Sequence, residues 1–192
     1  MIQKNTPEHY STSSIALHWL MFALIASAYA FIELRELFPK DSDPRETMKA
    51  LHFMLGLSVL LLVLPRLVLR FQGTTPSINP EPPAWQHSVA RIAHLTLYLF
   101  MVVMPLLGWL MLSAAGKPIP FFGLQLPALI AEDKELAKFI KEIHVTIGEI
   151  GYYLIGLHVL AALNHHFFQR DTTLLNMLPA SLAYRFKPTQ PS

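Results

Sequence analysis

Long apolar runs alternate with short polar segments along this chain. Four of the runs are long enough to cross the roughly 30 Å hydrocarbon core of a bilayer, which takes about 20 helical residues. They cover about residues 15–38, 48–71, 89–115 and 143–168. Apolar positions do not recur with a period of two, and a single segment in lipid satisfies its backbone only as a helix. The pattern therefore predicts an all-α membrane protein built as a bundle of four transmembrane helices.

Polar residues and prolines indicate where these helices begin and bend. Residues 11–14 are serine and threonine, which are typical N-caps, and residues 43–46 contain an aspartate cap followed by proline and a capping-box glutamate. Pro65 and Pro105 should kink the second and third helices. The charged segment 132–141 runs straight into the fourth apolar run, so we expect that helix to start outside the lipid.

Composition agrees with a membrane protein and narrows its chemistry. Hydrophobic residues make up 53% of the chain and charged ones 15%, whereas soluble domains average about 45–50% and about 25%. A length of 192 residues favours one domain over 1–192. The scattered basic residues and net charge of +2 argue against nucleic-acid binding. The absence of cysteine excludes disulfides, cysteine-bound iron–sulfur clusters and covalently attached c-type haem.

The first apolar run also has features of a secretory signal peptide. Residues 28–30 are Ala-Tyr-Ala, which mimics a cleavage site. We favour a retained helix, because the polar segment before the apolar run is long and cleavage would remove His18.

Four spans place both termini on one side of the membrane. The basic residues divide seven against eight between the two sides, so the positive-inside rule leaves the orientation open.

Four of the nine histidines lie inside the predicted spans at matched depths. His18 and His52 each lie about one turn inside the first and second spans, which run antiparallel. His144 starts the fourth span and His158 follows 14 residues later, which is about 3.9 turns and about 21 Å along one helix face. The fourth span runs antiparallel to the first, so the depths predict two pairs, His18 with His158 and His52 with His144.

Each pair could bind one iron from opposite sides of a porphyrin plane. Ligation by two imidazoles closes both axial positions, which suits electron transfer rather than oxygen binding. We therefore predict two b-type haems between the helices. The alternative is that the histidines are interfacial and reach lipid headgroups with their polar tips.

Glycines lie beside two of these histidines. Gly56 and Gly148 follow His52 and His144 by four residues, and residues i and i+4 share a helix face. A glycine there leaves room for a flat macrocycle, so we expect both to pack against haem. Close helix packing through small residues is the alternative.

A second set of polar residues lies toward the end of the membrane that holds the termini. Arg66 and Arg70 could pair with haem propionates or with lipid phosphates. His94 and His165 could bind a quinone carbonyl or relay its proton, since a neutral imidazole both donates and accepts. Contact with headgroups remains the alternative for all four.

With these residues in view, the sequence resembles the bacterial cytochrome b561 family over nearly its whole length. The segments that carry the resemblance are His18-Trp19, residues 66–70, residues 93–95 with Tyr98, residues 151–158, and residues 164–166. The resemblance implies that His18, His52, His144 and His158 are haem ligands. It also implies an inner-membrane location with both termini cytoplasmic, which places His18 and His158 on the cytoplasmic side and His52 and His144 on the periplasmic side.

The resemblance further implies exchange of electrons with ubiquinone. One branch of the family oxidises periplasmic superoxide and passes the electron through both haems to quinone, so we expect an oxidoreductase of this kind. Superoxide is an anion, and Arg35, Lys49 and Lys117 are candidates for attracting it on the periplasmic side. The excess of acidic residues in the same loops works against broad steering.

Two other functions fit parts of the pattern. The chain could be the membrane cytochrome subunit of a larger dehydrogenase or hydrogenase, with a periplasmic redox partner docking on the apolar loop 118–129. A histidine-lined transporter is the other possibility, and it predicts a colourless protein. Transporters usually have internal repeats and carboxylates deep in the membrane, and the predicted spans contain no aspartate.

Overall fold

The computed structural model of the protein describes residues 10–183. Four long helices dominate it: α1 (Thr12–Leu34), α2 (Asp43–Gln72), α3 (Ala84–Ala114) and α4 (Lys134–Asn164). All four are long and apolar enough to cross a membrane. The predicted fold class, an all-α membrane protein with four spanning helices, is confirmed. That residues 1–192 act as one domain stays a prediction.

The helix ends show why the chain turns where it does. Ser11 caps α1, since its hydroxyl accepts a hydrogen bond from the Ser14 amide at 3.2 Å. Asp133 caps α4 through the Leu136 amide at 3.0 Å. At the second helix the expected cap is wrong by one position, because α2 already includes Asp43 and the preceding Ser42 donates its hydroxyl to the Pro39 carbonyl.

Between α3 and α4 the chain forms a small hairpin that the sequence pattern did not predict. The third helix ends at Ala114, and Gly116 follows it with a φ of 62° that suits glycine. The Lys117 amide donates to the Leu112 carbonyl at 3.0 Å. Strands β1 (Ile119–Phe121) and β2 (Leu124–Leu126) then pair antiparallel. Phe122 and Gly123 both have positive φ, which is the geometry of a tight two-residue turn.

Four shorter helical pieces follow the long helices in the described part of the chain. A 3₁₀ turn (Arg35–Leu37) follows α1, a π-helical turn (His165–Gln169) follows α4, and a 3₁₀ turn (Leu175–Met177) leads to the four-residue α5 (Ala180–Ala183). The predicted kink sites Pro65 and Pro105 both lie inside continuous helices.

The described residues divide into two compact units. Unit 1 holds the chain up to Trp19, Leu64–Leu97, and the chain from Tyr152 onward, and unit 2 holds Leu20–Val63 and Tyr98–Gly151. Unit 2 contains a buried cluster in which Ile119 of the hairpin packs with Leu57 and Leu112. Many large apolar side chains on the helices are exposed, and in a membrane protein lipid covers such side chains.

Candidate functional site

In unit 2, His52 of α2 and His144 of α4 face each other with ring centroids 6.2 Å apart. The Nδ1 atom of His52 lies 2.8 Å from the Ala28 carbonyl of α1. A carbonyl only accepts, so Nδ1 carries the proton and Nε2 keeps a free lone pair. Metal-binding imidazoles are commonly oriented by such a bond to backbone. His52 is therefore held in a form that can bind a metal.

The ring of His144 lies beside a glycine of α3 that the sequence analysis missed. A Cβ atom built on Gly108 would lie 3.5 Å from Cε1 of His144, which is ordinary van der Waals contact, so the ring lies directly against this glycine. The Nδ1 atom of His144 is buried and has no hydrogen-bond partner among residues 10–183. The sequence feature that could have indicated Gly108 is a glycine three residues after Pro105 in an apolar span.

In unit 1, His18 of α1 and His158 of α4 have ring centroids 6.3 Å apart. A third ring, that of His94 on α3, lies 5.6 Å from His158. Arg66 of α2 lies with Nη2 2.9 Å from Nδ1 of His18. Because a guanidinium only donates, Nδ1 of His18 accepts this bond and the proton of the neutral ring sits on Nε2. Binding iron through Nε2 therefore requires Arg66 to release His18, which would free the guanidinium for a carboxylate.

Both histidine pairs have the spacing of a shared metal between two imidazoles. A metal–imidazole bond of about 2.1 Å, with roughly 1.1 Å more from nitrogen to ring centroid, separates two centroids by about 6.4 Å. The observed separations are 6.2 and 6.3 Å. In the described part of the chain, no group of three or more His, Cys, Asp or Glu side chains could hold a metal ion. Two protein ligands suffice for haem, which brings four equatorial nitrogens of its own, so the residues present fit haem better than a bare ion.

The glycines near these pairs differ in the space around them. A Cβ on Gly56 or Gly156 would meet nothing within 4 Å, so both border open space that a flat group could use. A Cβ on Gly148 would contact the Met104 side chain at an ordinary 3.5 Å. Gly151 has no room at all, because its Cβ would lie 2.2 Å from the Tyr29 hydroxyl. Gly151 therefore serves helix packing.

The two arginines predicted to meet propionates lie on the same helix, in unit 1. Arg66 reaches His18 and also approaches the Ser14 carbonyl at 3.5 Å. Arg70 donates to the hydroxyl of Thr75. Both lie within electrostatic range of His94. This part of unit 1 thus brings the imidazoles of His18, His94 and His158 near two cations.

The two histidines predicted to bind quinone have different partners. His94 lies beside His158, whereas Nδ1 of His165 bonds the carboxylate of Asp171. No hydrogen bond or ring contact joins His94 and His165 among residues 10–183. The sequence analysis did not single out Asp171, which is 1% exposed. The only local sequence feature that could have indicated this pair is an acidic residue six positions after a histidine at a helix end.

These observations agree with the relatives of the chain. Residues 9–180 match the family described as prokaryotic cytochrome b561. The chain belongs to this family. It is 39% identical over 170 residues to cytochrome b561 homolog 1 of Escherichia coli (strain K12), covering 88% of this chain and 97% of that protein. It is 35% identical over 170 residues to a probable superoxide oxidase, CybB, of Yersinia pestis, covering 88% and 96%.

As a cytochrome b561-family protein, the chain is a multi-pass membrane protein that binds haem b and transfers electrons across the membrane. Its chemistry is redox chemistry, so the prediction of an oxidoreductase is confirmed at that level.

Two of the three cations predicted to attract superoxide form ion pairs in this cytochrome. Arg35 pairs with Glu36 at 2.8 Å, and Lys49 pairs with Glu46 at 2.5 Å. Arg45, which the sequence analysis did not consider, also bonds Glu36 at 2.9 Å. Lys117 forms no ion pair within the described residues and is exposed.

Proposed function

We propose that the protein holds two haems b and passes electrons from periplasmic superoxide to ubiquinone. His52 and His144 would hold the haem on the periplasmic side, and His18 and His158 the haem on the cytoplasmic side. The protein would lie in the inner membrane with both termini cytoplasmic. Two superoxide anions, one quinone and two protons would give two oxygen molecules and one quinol.

The observation that carries this proposal is the equal spacing of the two histidine pairs, 6.2 and 6.3 Å between ring centroids. Two pairs that share helix α4 support a count of two haems. Each haem, held by two histidines, would supply a one-electron carrier suited to electron transfer rather than oxygen binding.

Superoxide as the donor is supported by the Yersinia pestis relative, which is named a probable superoxide oxidase. In this chain the pairing of Arg35 and Lys49 with glutamates leaves Lys117 as the best candidate cation for guiding a small anion. Interactions between exposed charges are screened over about 8–10 Å at moderate salt. We therefore expect salt to slow the reaction with superoxide only modestly.

Ubiquinone as the acceptor is supported by the polar surroundings of the unit 1 pair. Reduction of a quinone consumes protons as well as electrons, and imidazoles can supply them. His94 and His165 are the residues we assign to this task. Arg66 and Arg70 would hold the propionates of the haem bound by His18 and His158.

The proposal is tested with the purified protein, a superoxide generator and a soluble ubiquinone analogue. We expect about two haems per chain by pyridine haemochrome, haem reduction that superoxide dismutase abolishes, and quinol formation under anaerobic re-oxidation. A preparation without haem would overturn the cofactor assignment. Haem reduction that dismutase leaves unchanged would overturn superoxide as the donor.

A second candidate is the membrane subunit of a larger dehydrogenase. The hairpin favours it, because Phe122 and Leu124 are 62% and 66% exposed, as a docking surface for a periplasmic redox partner would be. Cross-linking and co-purification from native membranes would separate the two candidates. A stoichiometric partner together with no reaction with superoxide would favour the subunit.

A further inference from the structure

The chain reverses direction directly after α4 and returns to its last residues. The π-helical turn His165–Gln169 is followed by Arg170, whose φ of 53° lies in the left-handed region that non-glycine residues rarely adopt. The Asp171 amide then bonds the His165 carbonyl at 3.2 Å. Local π-helical geometry is frequent at functional sites. Here its consequence is to bring the Asp171 side chain back to the His165 ring.

Asp171 is a buried carboxylate with both oxygens engaged. One oxygen accepts a hydrogen bond from Nδ1 of His165. The other accepts from the Thr173 amide at 2.8 Å. At 1% exposure, this carboxylate is costly to bury without such partners. The His165–Asp171 pair is therefore a buried, hydrogen-bonded interaction rather than a surface contact.

The segment that carries Asp171 is fixed from a separate part of unit 1. Thr172 and Asn79 are joined by two bonds, from the Thr172 amide to the Asn79 carbonyl at 3.1 Å and from the Asn79 amide to the Thr172 hydroxyl at 3.0 Å. Asn176 donates to the Ser77 carbonyl at 3.2 Å. The position of the carboxylate thus depends on the α2–α3 loop as well as on His165.

This geometry decides which nitrogen of His165 can do chemistry. A carboxylate only accepts, so the proton of the neutral ring lies on Nδ1. Nε2 has no hydrogen bond among the described residues, and the side chain keeps 19% exposure. If Nε2 takes up a second proton, the negative charge of Asp171 balances the imidazolium. A histidine oriented by a carboxylate in this way can give and take a proton at its free nitrogen.

We propose that Asp171 is a positioning residue that holds His165 so that Nε2 delivers protons to the reduced quinone. This inference rests on the proposed quinone reduction. For the proton that His165 delivers, the Nε2–H bond of its imidazolium breaks and an O–H bond forms on one quinone oxygen, whose electrons come from the haems. His165 is left neutral with its Nδ1 proton still bonded to Asp171. Water at the exposed edge of the ring then restores the proton on Nε2.

The central variant is Asp171→Asn, which keeps the shape and an acceptor oxygen but removes the charge. We expect quinone to re-oxidise the reduced haems at least about tenfold more slowly, since positioned proton transfer is worth on the order of 100-fold or more. The quinone KM should change little, because the substrate contacts remain. His165→Ala should have a similar effect, and the double variant should add nothing further.

The matched control is Asn176→Ala, which loosens the same segment without touching His165. It should slow re-oxidation by quinone only slightly, far less than Asp171→Asn does. An equal loss of rate in Asn176→Ala and Asp171→Asn would show that the segment acts only through folding, and would overturn the inference. So would an additive effect in the double variant.

A readout independent of turnover is the ¹⁵N spectrum of histidine-labelled, dithionite-reduced protein, with His165 assigned by its loss in His165→Ala. We expect a proton on Nδ1 and a bare Nε2 in the neutral ring. The opposite tautomer would overturn the inference. If the unmodified protein reduces no quinone, the proposed function fails together with this inference. If it does and Asp171→Asn matches it, only the inference fails.

Discussion

His52 and His144 contact backbone and apolar groups, with Arg35 within electrostatic range of His52. His18 and His158 share their surroundings with a third histidine and with an arginine bonded directly to His18. The bond from His52 to the Ala28 carbonyl orders the first pair without any charged group. In the second pair Arg66 donates to His18, and His94 lies 5.6 Å from His158. The spacing of the rings is nearly equal in the two pairs, so the difference lies in what surrounds them.

The difference suggests that the two sites have separate tasks. A site lined by backbone and apolar side chains can accept and pass on an electron, but it offers no group that exchanges protons. A site with extra imidazoles and guanidinium groups can also stabilise anions and supply protons. Quinone reduction needs protons and superoxide oxidation does not. We therefore expect changes at the two sites to affect different half-reactions.

The largest effect should come from removing the ligands one site at a time. His52→Ala and His144→Ala should each lower the haem content from about two to about one per chain, because a b haem depends on its axial ligands. His18→Ala should lose less haem, because the neighbouring ring of His94 can take its place opposite His158. Pyridine haemochrome measured against protein concentration checks both expectations.

The exposed His87 supplies the control for this series, since His87→Ala should keep both haems. Adding His94→Ala to His18→Ala should complete the loss of that haem. Equal losses in His18→Ala and His52→Ala would show that the third histidine makes no difference.

The second effect compares glycine-to-alanine variants at two positions of α4, one in each unit. Gly151 belongs to unit 2 and Gly156 to unit 1. Gly151→Ala should cost about 1–3 kcal/mol, because its Cβ would overlap the Tyr29 hydroxyl. A loss of this size lowers the melting temperature by about 2–4 °C per kcal/mol in a chain of this length. A Cβ on Gly156 meets no protein atom within 4 Å, so Gly156→Ala should lower the melting temperature less than Gly151→Ala does. Differential scanning calorimetry in detergent would measure both, and equal losses would contradict the prediction.

The four helices could be predicted because apolar length is a local property of the chain. The grouping of His144 with His158 on one face also follows locally, from the rise and turn of a single helix. The positions of Gly108 and Asp171 could not be predicted in this way. Each depends on a contact with a residue of another segment or on a reversal of the chain at Arg170, and neither leaves a periodic signal.

The small hairpin shows the same limit. Its strands are three residues each, too short for an alternating pattern to stand out from an apolar loop. The helix cap at Asp43 was placed one residue late because Ser42 and Asp43 are both good caps, and helix boundaries commonly differ by one or two residues.

The third effect concerns charge at one site only. Arg66→Gln removes a cation next to His18 while keeping a hydrogen-bond donor. Because a nearby positive charge disfavours the oxidised, more positive haem, the reduction potential of that haem should fall by up to about 60 mV, the equivalent of tenfold in a one-electron equilibrium. The potential of the other haem should stay unchanged. A spectroscopic redox titration resolves the two steps, and Arg66→Lys should recover most of the shift. A fall of both potentials by the same amount would mean that Arg66 does not act on one site.

The smallest effect compares two tryptophans that hold non-helical segments in the two units. The Trp19 indole donates to the Met177 carbonyl at 2.7 Å in unit 1, and the Trp109 indole donates to the Pro127 carbonyl at 3.0 Å in unit 2. Phenylalanine at either position removes one hydrogen bond, worth about 0.5–1.5 kcal/mol. The haem content should therefore not change. Trp19→Phe should speed proteolytic cleavage near Met177 and slow re-oxidation by quinone slightly, because the same segment carries Asp171. Trp109→Phe should speed cleavage near Pro127 and leave the quinone reaction unchanged. If both variants slowed the quinone reaction equally, quinone reduction would not depend on unit 1 alone, and the two units would not have separate tasks.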